Sequence, residues 1–420
     1  MLLQFEVENY KTFRKEAVFS MIADPCQEGV DLDYSLIHRA IEGEEWRIQC
    51  SSIIVGPNAS GKTNLFSAMD TLRAIVLRGN ILNAPDSASP NEAARMLELI
   101  PNAHEPHKPV SFLIAFIEGE ALLEYALQID LGPFMASDYD RKVLVEELSL
   151  NNKRVFKREG GNVAFGELEG VSEWLNPNFS PDSVEYACLE DTELFLSSAL
   201  KTLCSVKLAE LIRNWFELKL IVAFDDNVPL PDSKLANYCM ERTLKEGVSL
   251  FGARNPIAYA QEKSGKRLMS KVGELSVPAA AYESAGVHSF LNIFPALLYA
   301  YAIGATLMID GFPFNLHTDG VLSIINLFHN DDYNIKGSQL VFSTHNLILL
   351  NRRMFRRDEI KFIDIDDKGS ELYSMSDFEI SERDKMYEYD KNYIYGLYGA
   401  IKDVEFESVF SDLNEKMDRD

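Results

Sequence analysis

The residues best equipped for chemistry form one run, Gly56-Pro57-Asn58-Ala59-Ser60-Gly61-Lys62-Thr63, which fits the eight-position phosphate-loop pattern without a departure. Gly56 and Gly61 let the backbone curl until several N–H groups point at one phosphate. Lys62 brings positive charge to the outer phosphates, and the Thr63 hydroxyl is placed for Mg²⁺. Asn58, Ala59, Ser60 and Asn64 complete the binding segment. The chemistry requires a strand before this loop and a helix after it. Ile53-Ile54-Val55 and LFSAMDTLRAIVL supply both signals.

Three further stations could join the loop. Thr306–Asp310, TLMID, is a short apolar strand ending in an acid, the form of the second Mg²⁺-organising strand in phosphate-loop NTPases. Gln339–Ser343, QLVFS, is another buried strand, with Thr344-His345-Asn346 at its end. Ser284-Ala285-Gly286 opens a helix that runs to Ile303. Strands and helices alternate from Tyr282 to Ile365, which predicts a parallel sheet with ligands at the carboxyl ends of its strands.

The elements ahead of these stations read differently. Met1–Ala23 alternates in two short runs and predicts a hairpin. Val110–Leu131 predicts a second hairpin, and Val143–Leu150, Arg154–Arg158 and Val163–Phe165 more antiparallel sheet. Gly79–Pro109 reads as a surface connection with a short helical patch at Asn91–Leu99. Thr192–Phe216 has helical periodicity, as has Ser233–Glu246, so a helical lobe is expected between the two halves of the nucleotide domain. No strand is assigned between Glu246 and Val277. The division expected is 1–180 and 278–400 for the two halves, 181–277 for the helical insertion and 401–420 for an acidic tail. The fold class is α/β with a mixed or antiparallel N-terminal sheet, a parallel core sheet and an inserted helical lobe.

With 46% apolar residues the chain can bury a large core, and a net charge of −24 argues against a surface built to coat nucleic acid. The cations at Lys153, Arg154, Lys157 and Arg158 read as a solvated strand face before they read as a nucleic-acid contact. Five scattered cysteines without CxxC spacing suit a reduced, cytoplasmic protein, and no signal peptide is evident. Phe290–Ile309 has the length of a membrane span, but Gly304 and Asp310 make it a buried helix leading into a strand.

The order phosphate loop, Ser-x-Gly helix, TLMID strand and STHN strand resembles the ABC-type ATPases of the RecF-, SMC- and OLD-like branch. MLLQFEVENYKTFRKEAVFSM, FLSSALKTL, ESAGVHSFLNIFPALLYA and FSTHN through YGLYGAI narrow the resemblance to bacterial ATPases of abortive-infection and anti-phage systems such as PARIS and Septu. That resemblance implies ATP and Mg²⁺ at Gly56, Asn58, Gly61, Lys62 and Thr63, with Asp310 supporting the Mg²⁺ from the second shell and His345 reaching the γ-phosphate. Ser284 and Gly286 would contact the γ-phosphate of ATP held by the other protomer. ATP would then join two chains, or a higher homo-oligomer, that controls an effector such as a nuclease or toxin. A DNA-repair or DNA-tethering ATPase of the RecF or SMC kind is the alternative.

One departure bears on catalysis. The family has Glu directly after the strand Asp, and here Gly311 stands there. Hydrolysis would then be slow, unless Asp319 or Glu283 supplies a carboxylate. No Gln suited to sensing Mg²⁺ ahead of the helical lobe is found.

Overall fold

The computed structural model describes residues 1–27, 33–83, 97, 99–132, 141–166, 168–179, 189–224, 228, 230–262, 265–312, 315–379 and 389–402. Most of the expected helical patch at Asn91–Leu99 and most of the expected acidic tail lie outside them; Leu97 and Leu99, which are described, are not helical.

The N-terminal run forms β1 (Leu2–Glu8) and β2 (Ala17–Ser20), paired antiparallel as the alternation predicts. β3 (Leu36–Ile41) and β4 (Glu44–Gln49) make a separate hairpin, and β5 (Ser51–Val55) leads through the phosphate loop to α1 (Lys62–Arg78). β6 (Val110–Glu118) and β7 (Ala121–Asp130) form the second expected hairpin. β8 (Lys142–Leu150) and β9 (Lys153–Glu159) turn at Asn151-Asn152, both at positive φ, a conformation asparagine tolerates and hairpin turns need. With β10 (Asn162–Phe165) they complete a seven-stranded sheet of order β10-β9-β8-β7-β6-β1-β2.

The next stretch departs from expectation. The helical run from Thr192 breaks into α2 (Phe195–Thr202) and α3 (Val206–Asn214), because Ser205 takes the N-cap position and accepts from Leu208 N–H at 3.3 Å. A wide helical turn, Trp215–Lys219, then leads straight into β11 (Leu220–Phe224), a strand of the core sheet that the sequence reading missed. No glycine or proline separates it from the helical periodicity. After α4 (Lys234–Arg242), β12 (Ile257–Glu262), β13 (Gly265–Val272) and β14 (Leu275–Pro278) form a three-stranded sheet where no strand was assigned. The stretch 181–277 therefore holds strands as well as helices.

α5 (Ala285–Ile303) ends at Gly304, whose φ of 71° allows the reversal into β15 (Thr306–Asp310). By length and composition α5 could cross a membrane, and 56% of it is buried in the fold. α6 (Thr318–His329), β16 (Gln339–Ser343), β17 (Ile360–Asp366), β18 (Gly369–Ser374) and α7 (Tyr389–Ile394) follow. The core sheet has the order β11-β15-β16-β5-β17-β18, parallel throughout except for β18 at the edge. All five residues of β5 and of β16 are buried, as expected where both faces are covered. Ile54 faces a core shared with α1 and the seven-stranded sheet, while Ile53 and Val55 face one shared with α5 and α6. The result is a mixed α/β fold with two cores on either side of the parallel sheet.

Candidate nucleotide site

At the carboxyl end of the parallel sheet, β5, β15 and β16 stop side by side, which brings residues far apart in sequence to one place. Thr63 donates to Asp310 Oδ2 at 2.5 Å, and Ser343 donates to Asp310 Oδ1 at 2.6 Å. Gly311 N–H in turn donates to Ser343 Oγ at 2.7 Å. The carboxylate is thus aimed by two hydroxyls beside the helix start. Lys62 Nζ donates to the carbonyls of Gly56 and Pro57, both at 2.8 Å. Burial lowers the Lys62 pKa, and Asp310 opposes the shift.

The loop's glycines are dictated by close approach. A Cβ on Gly56 would lie 2.2 Å from the Ile363 carbonyl oxygen. Gly61 has φ 111°, and a Cβ there would meet Ser370 Oγ and Thr12 Oγ1, each at 2.7 Å. Those hydroxyls brace the loop from behind. Ser370 donates to Ser60 O at 2.5 Å, and Asn64 Nδ2 donates to Thr12 Oγ1 at 2.8 Å. α1 begins without a side-chain cap, so its first N–H groups stay open to an anion. A cationic ammonium, open helical N–H groups, a hydroxyl and a carboxylate are the donor set that a Mg²⁺–nucleotide needs, and these residues fit it.

His345 is exposed in the turn after β16. The concave surroundings desolvate its ring all the same and lower its pKa, with the Lys62 ammonium adding to the effect and Asp310 opposing it. Asn346 Nδ2 donates to Thr318 Oγ1 at 3.3 Å, which sets the start of α6 against this turn. Asp319, next along α6, is exposed and 3.5 Å from His317 Nδ1; Glu283 keeps a buried Oε1 without a hydrogen-bond partner. Gly311 has φ 83°, a conformation that disfavours a glutamate there.

Ser284 caps α5, accepting from Val287 N–H at 3.3 Å, and is exposed. Gly286 packs beside the Asn315 carbonyl, where a Cβ would sit 2.8 Å away. The contacts of this pair are therefore with α5 and the loop after β15, not with Lys62 or Thr63. Thr12, Ser343 and Ser370 were missed in the sequence. Ser343 alone left a signal, a hydroxyl closing an otherwise apolar strand.

The basic cluster is a solvated face at Lys153 and Arg154, half-buried at Lys157, and departs from that reading at Arg158. Arg158 is fully buried and donates to the carbonyls of Gly160, Glu190 and Glu193, with Glu146 at 3.8 Å. Arg154 pairs with Glu147, and Lys157 with Glu159. Arg356 is buried against Asp358, and Arg357 donates to the carbonyls of Met375 and Phe378.

Residues 51–203 match a family profile described as "AAA domain, putative AbiEii toxin, Type IV TA system". No curated protein sequence matches the chain. Among solved structures, the SMC head domain from Thermotoga maritima is similar at 12% identity and a TM-score of 0.38, over 90% of this chain and 99% of that one. The matched profile spans the phosphate loop and places it in a segment similar to AAA-type ATPase domains.

Proposed function

We propose that this is an ABC-type ATP-binding protein in which ATP bridges two copies and the pair governs a partner effector. One observation carries the nucleotide reading: Lys62, Thr63, Asp310, Ser343 and the exposed His345 converge at the ends of adjacent parallel strands. When bound, Mg²⁺ would sit against Thr63, with Asp310 supporting it from behind that hydroxyl, and would neutralise phosphate charge. Lys62 and the first N–H groups of α1 hold the phosphates, and Ser343 orients the carboxylate.

Ser284 and Gly286 support the bridged arrangement, because they open a long helix, make their contacts with Val287 and Asn315, and stand exposed or half-exposed. In this reading they meet the γ-phosphate held by the other copy. His345 contacts that phosphate as a hydrogen-bond donor. With Gly311 after Asp310, turnover is slow and ATP serves as a clamp. The profile's printed name, which refers to a toxin and a Type IV TA system, supports an effector-linked role; in this reading that role belongs to the cytoplasm of a bacterium defending itself against phage. The DNA-tethering alternative loses part of its sequence motive, since Arg158 and Arg356 are buried, Arg154 and Lys157 pair with Glu147 and Glu159, and Lys153, Arg352 and Arg353 stay exposed.

The test compares ATP affinity, ATP turnover and assembly size in the native protein and in Lys62→Ala. Tight ATP binding with slow turnover and an ATP-dependent pair is the expected result. Rapid turnover would reject the clamp, and failure to bind ATP would reject the reading entirely.

A further inference from the structure

A second exposed feature borders the phosphate loop without holding phosphate. Beside Gly56 and Pro57 an open cavity of about 350 Å³ is walled on one side by the end of α7 and the segment that follows it. That segment is fixed to the parallel sheet: Tyr393 OH donates to Ala400 O at 2.6 Å, Ala400 N–H to Asp364 Oδ2 at 3.0 Å and Tyr373 OH to Tyr398 O at 2.8 Å. Its outward side chains are nonetheless large and apolar. Tyr395 is 73% exposed and Ile394 59%, and Ile348, in the turn beyond His345, is 65% exposed. Large apolar groups held rigidly in water at the rim of a cavity mark a contact surface. Exposed Lys391 and Lys402 flank them, in a chain whose net charge is −24.

The corner that precedes Ser284 has the complementary make-up. Leu275 is 68% exposed and Tyr282 53%, with Glu274 exposed and Glu283 half-buried beside them. Glu274 and Glu283 are opposite in sign to Lys391 and Lys402 of the Tyr395 surface, and both places expose large apolar side chains.

We infer that the Ile348–Ile394–Tyr395 surface is the seat for the β14–α5 corner of a second copy, apolar against apolar, with Lys391 and Lys402 opposite Glu274 and Glu283. This rests on the ATP-bridged pair proposed above. Because Gly56, Pro57 and His345 form the cavity's wall, docking there and phosphate binding share a boundary, so each strengthens the other.

Sedimentation velocity of the full chain with Mg²⁺ and a non-hydrolysable ATP analogue tests it, alongside nucleotide affinity from a fluorescent ATP analogue. The native chain sediments as a pair. Tyr395→Asp and Leu275→Asp, two exposed and separate positions, each weaken pairing by about tenfold or more while leaving single-chain nucleotide affinity within about twofold. Joining Lys391→Glu to Glu274→Lys recovers part of the pairing that either loses alone. Undiminished pairing in both aspartate variants would overturn this surface and leave the ATP bridge standing. A native chain that binds the analogue yet stays single would overturn both. Absence of recovery in the charge exchange would overturn the ionic part.

Discussion

The two ends of the parallel sheet carry similar residue types and opposite designs. At the carboxyl end, Lys62, Thr63, Asp310 and His345 surround an open, concave place. At the amino end, Ser51, His329, Glu359, Ser35 and Arg356 are sealed: Ser51 Oγ lies 2.6 Å from His329 Nε2 and 3.2 Å from Glu359 Oε1, and Glu359 Oε2 accepts from Arg356 N–H at 2.7 Å. A serine, a histidine and a glutamate in mutual contact are the ingredients of nucleophilic chemistry. Here His329 and Glu359 are 1% and 0% exposed, so no substrate reaches them. Burial pushes the Glu359 carboxyl up to about 8, with Arg356 N–H opposing it, and pushes His329 down to about 4. Polar side chains at one end await a ligand; at the other they answer each other and hold the fold.

The contrast can be broken by substitution. Lys62→Ala should weaken ATP binding by about 100-fold, the loss of hydrogen bonds to a charged group, with little change in melting temperature; calorimetric titration reads it. Glu359→Ala should do the converse, costing about 2 kcal/mol of stability by stranding Ser51 and Arg356 N–H while ATP affinity stays within about twofold. A large fall in ATP affinity there would show the two ends to be coupled.

The sealed end also sets a pH signature. Glu359 has a folded pKa above its ordinary 4.5, so its contribution is complete below 4.5 and is lost as pH rises through about 8. His329 has a folded pKa below its ordinary 6.5, so its contribution is complete above 6.5 and is lost as pH falls toward about 4. The two oppose each other between 4.5 and 6.5. Above 6.5 the Glu359 loss is opposed by the Met1 ammonium, which burial lowers from 8.0 to about 5, so that its contribution grows as pH rises toward 8. Removing the Glu359 carboxyl in Glu359→Gln should therefore make the urea midpoint rise more, or fall less, from pH 6.5 to 8 than it does in the native chain; parallel curves would reject this role for Glu359.

At the open end, Gly311→Glu should cost about 1–2 kcal/mol because of the left-handed backbone and should not speed turnover. A tenfold gain in turnover would show that the loop accommodates the carboxylate. The smallest effect belongs to Ser343→Ala, which should lower Mg²⁺-dependent ATP affinity about fivefold by freeing one oxygen of Asp310; an unchanged affinity would make the Ser343–Asp310 contact ornamental.

Much of the open end could be read from the chain because its chemistry is local. The phosphate loop's turn, its glycines and Lys62 lie within one short run, Asp310 closes an apolar strand and His345 follows one by two residues. Thr12 and Ser370 escaped because they brace the loop from a distant turn and from the start of β18, and nothing near them in sequence records that meeting. β11 escaped because its apolar run continues helical periodicity without a breaker. Arg158 was misread as solvated because its partners are carbonyls, which every residue possesses and no sequence pattern reports.

The reversal at Gly304 also settles a matter of lengths. α5, with 19 residues, runs back along β15, with five. At a rise of 1.5 Å per helical residue the helix spans about 28 Å, whereas at 3.3 Å per residue the strand spans about 17 Å. Sharing one end at Gly304, the two differ by about 11 Å at the other. Ser284 therefore overhangs the rim where Asp310 stops, like a beam longer than the wall it rests on, and what stands beyond that rim is within reach of its free end.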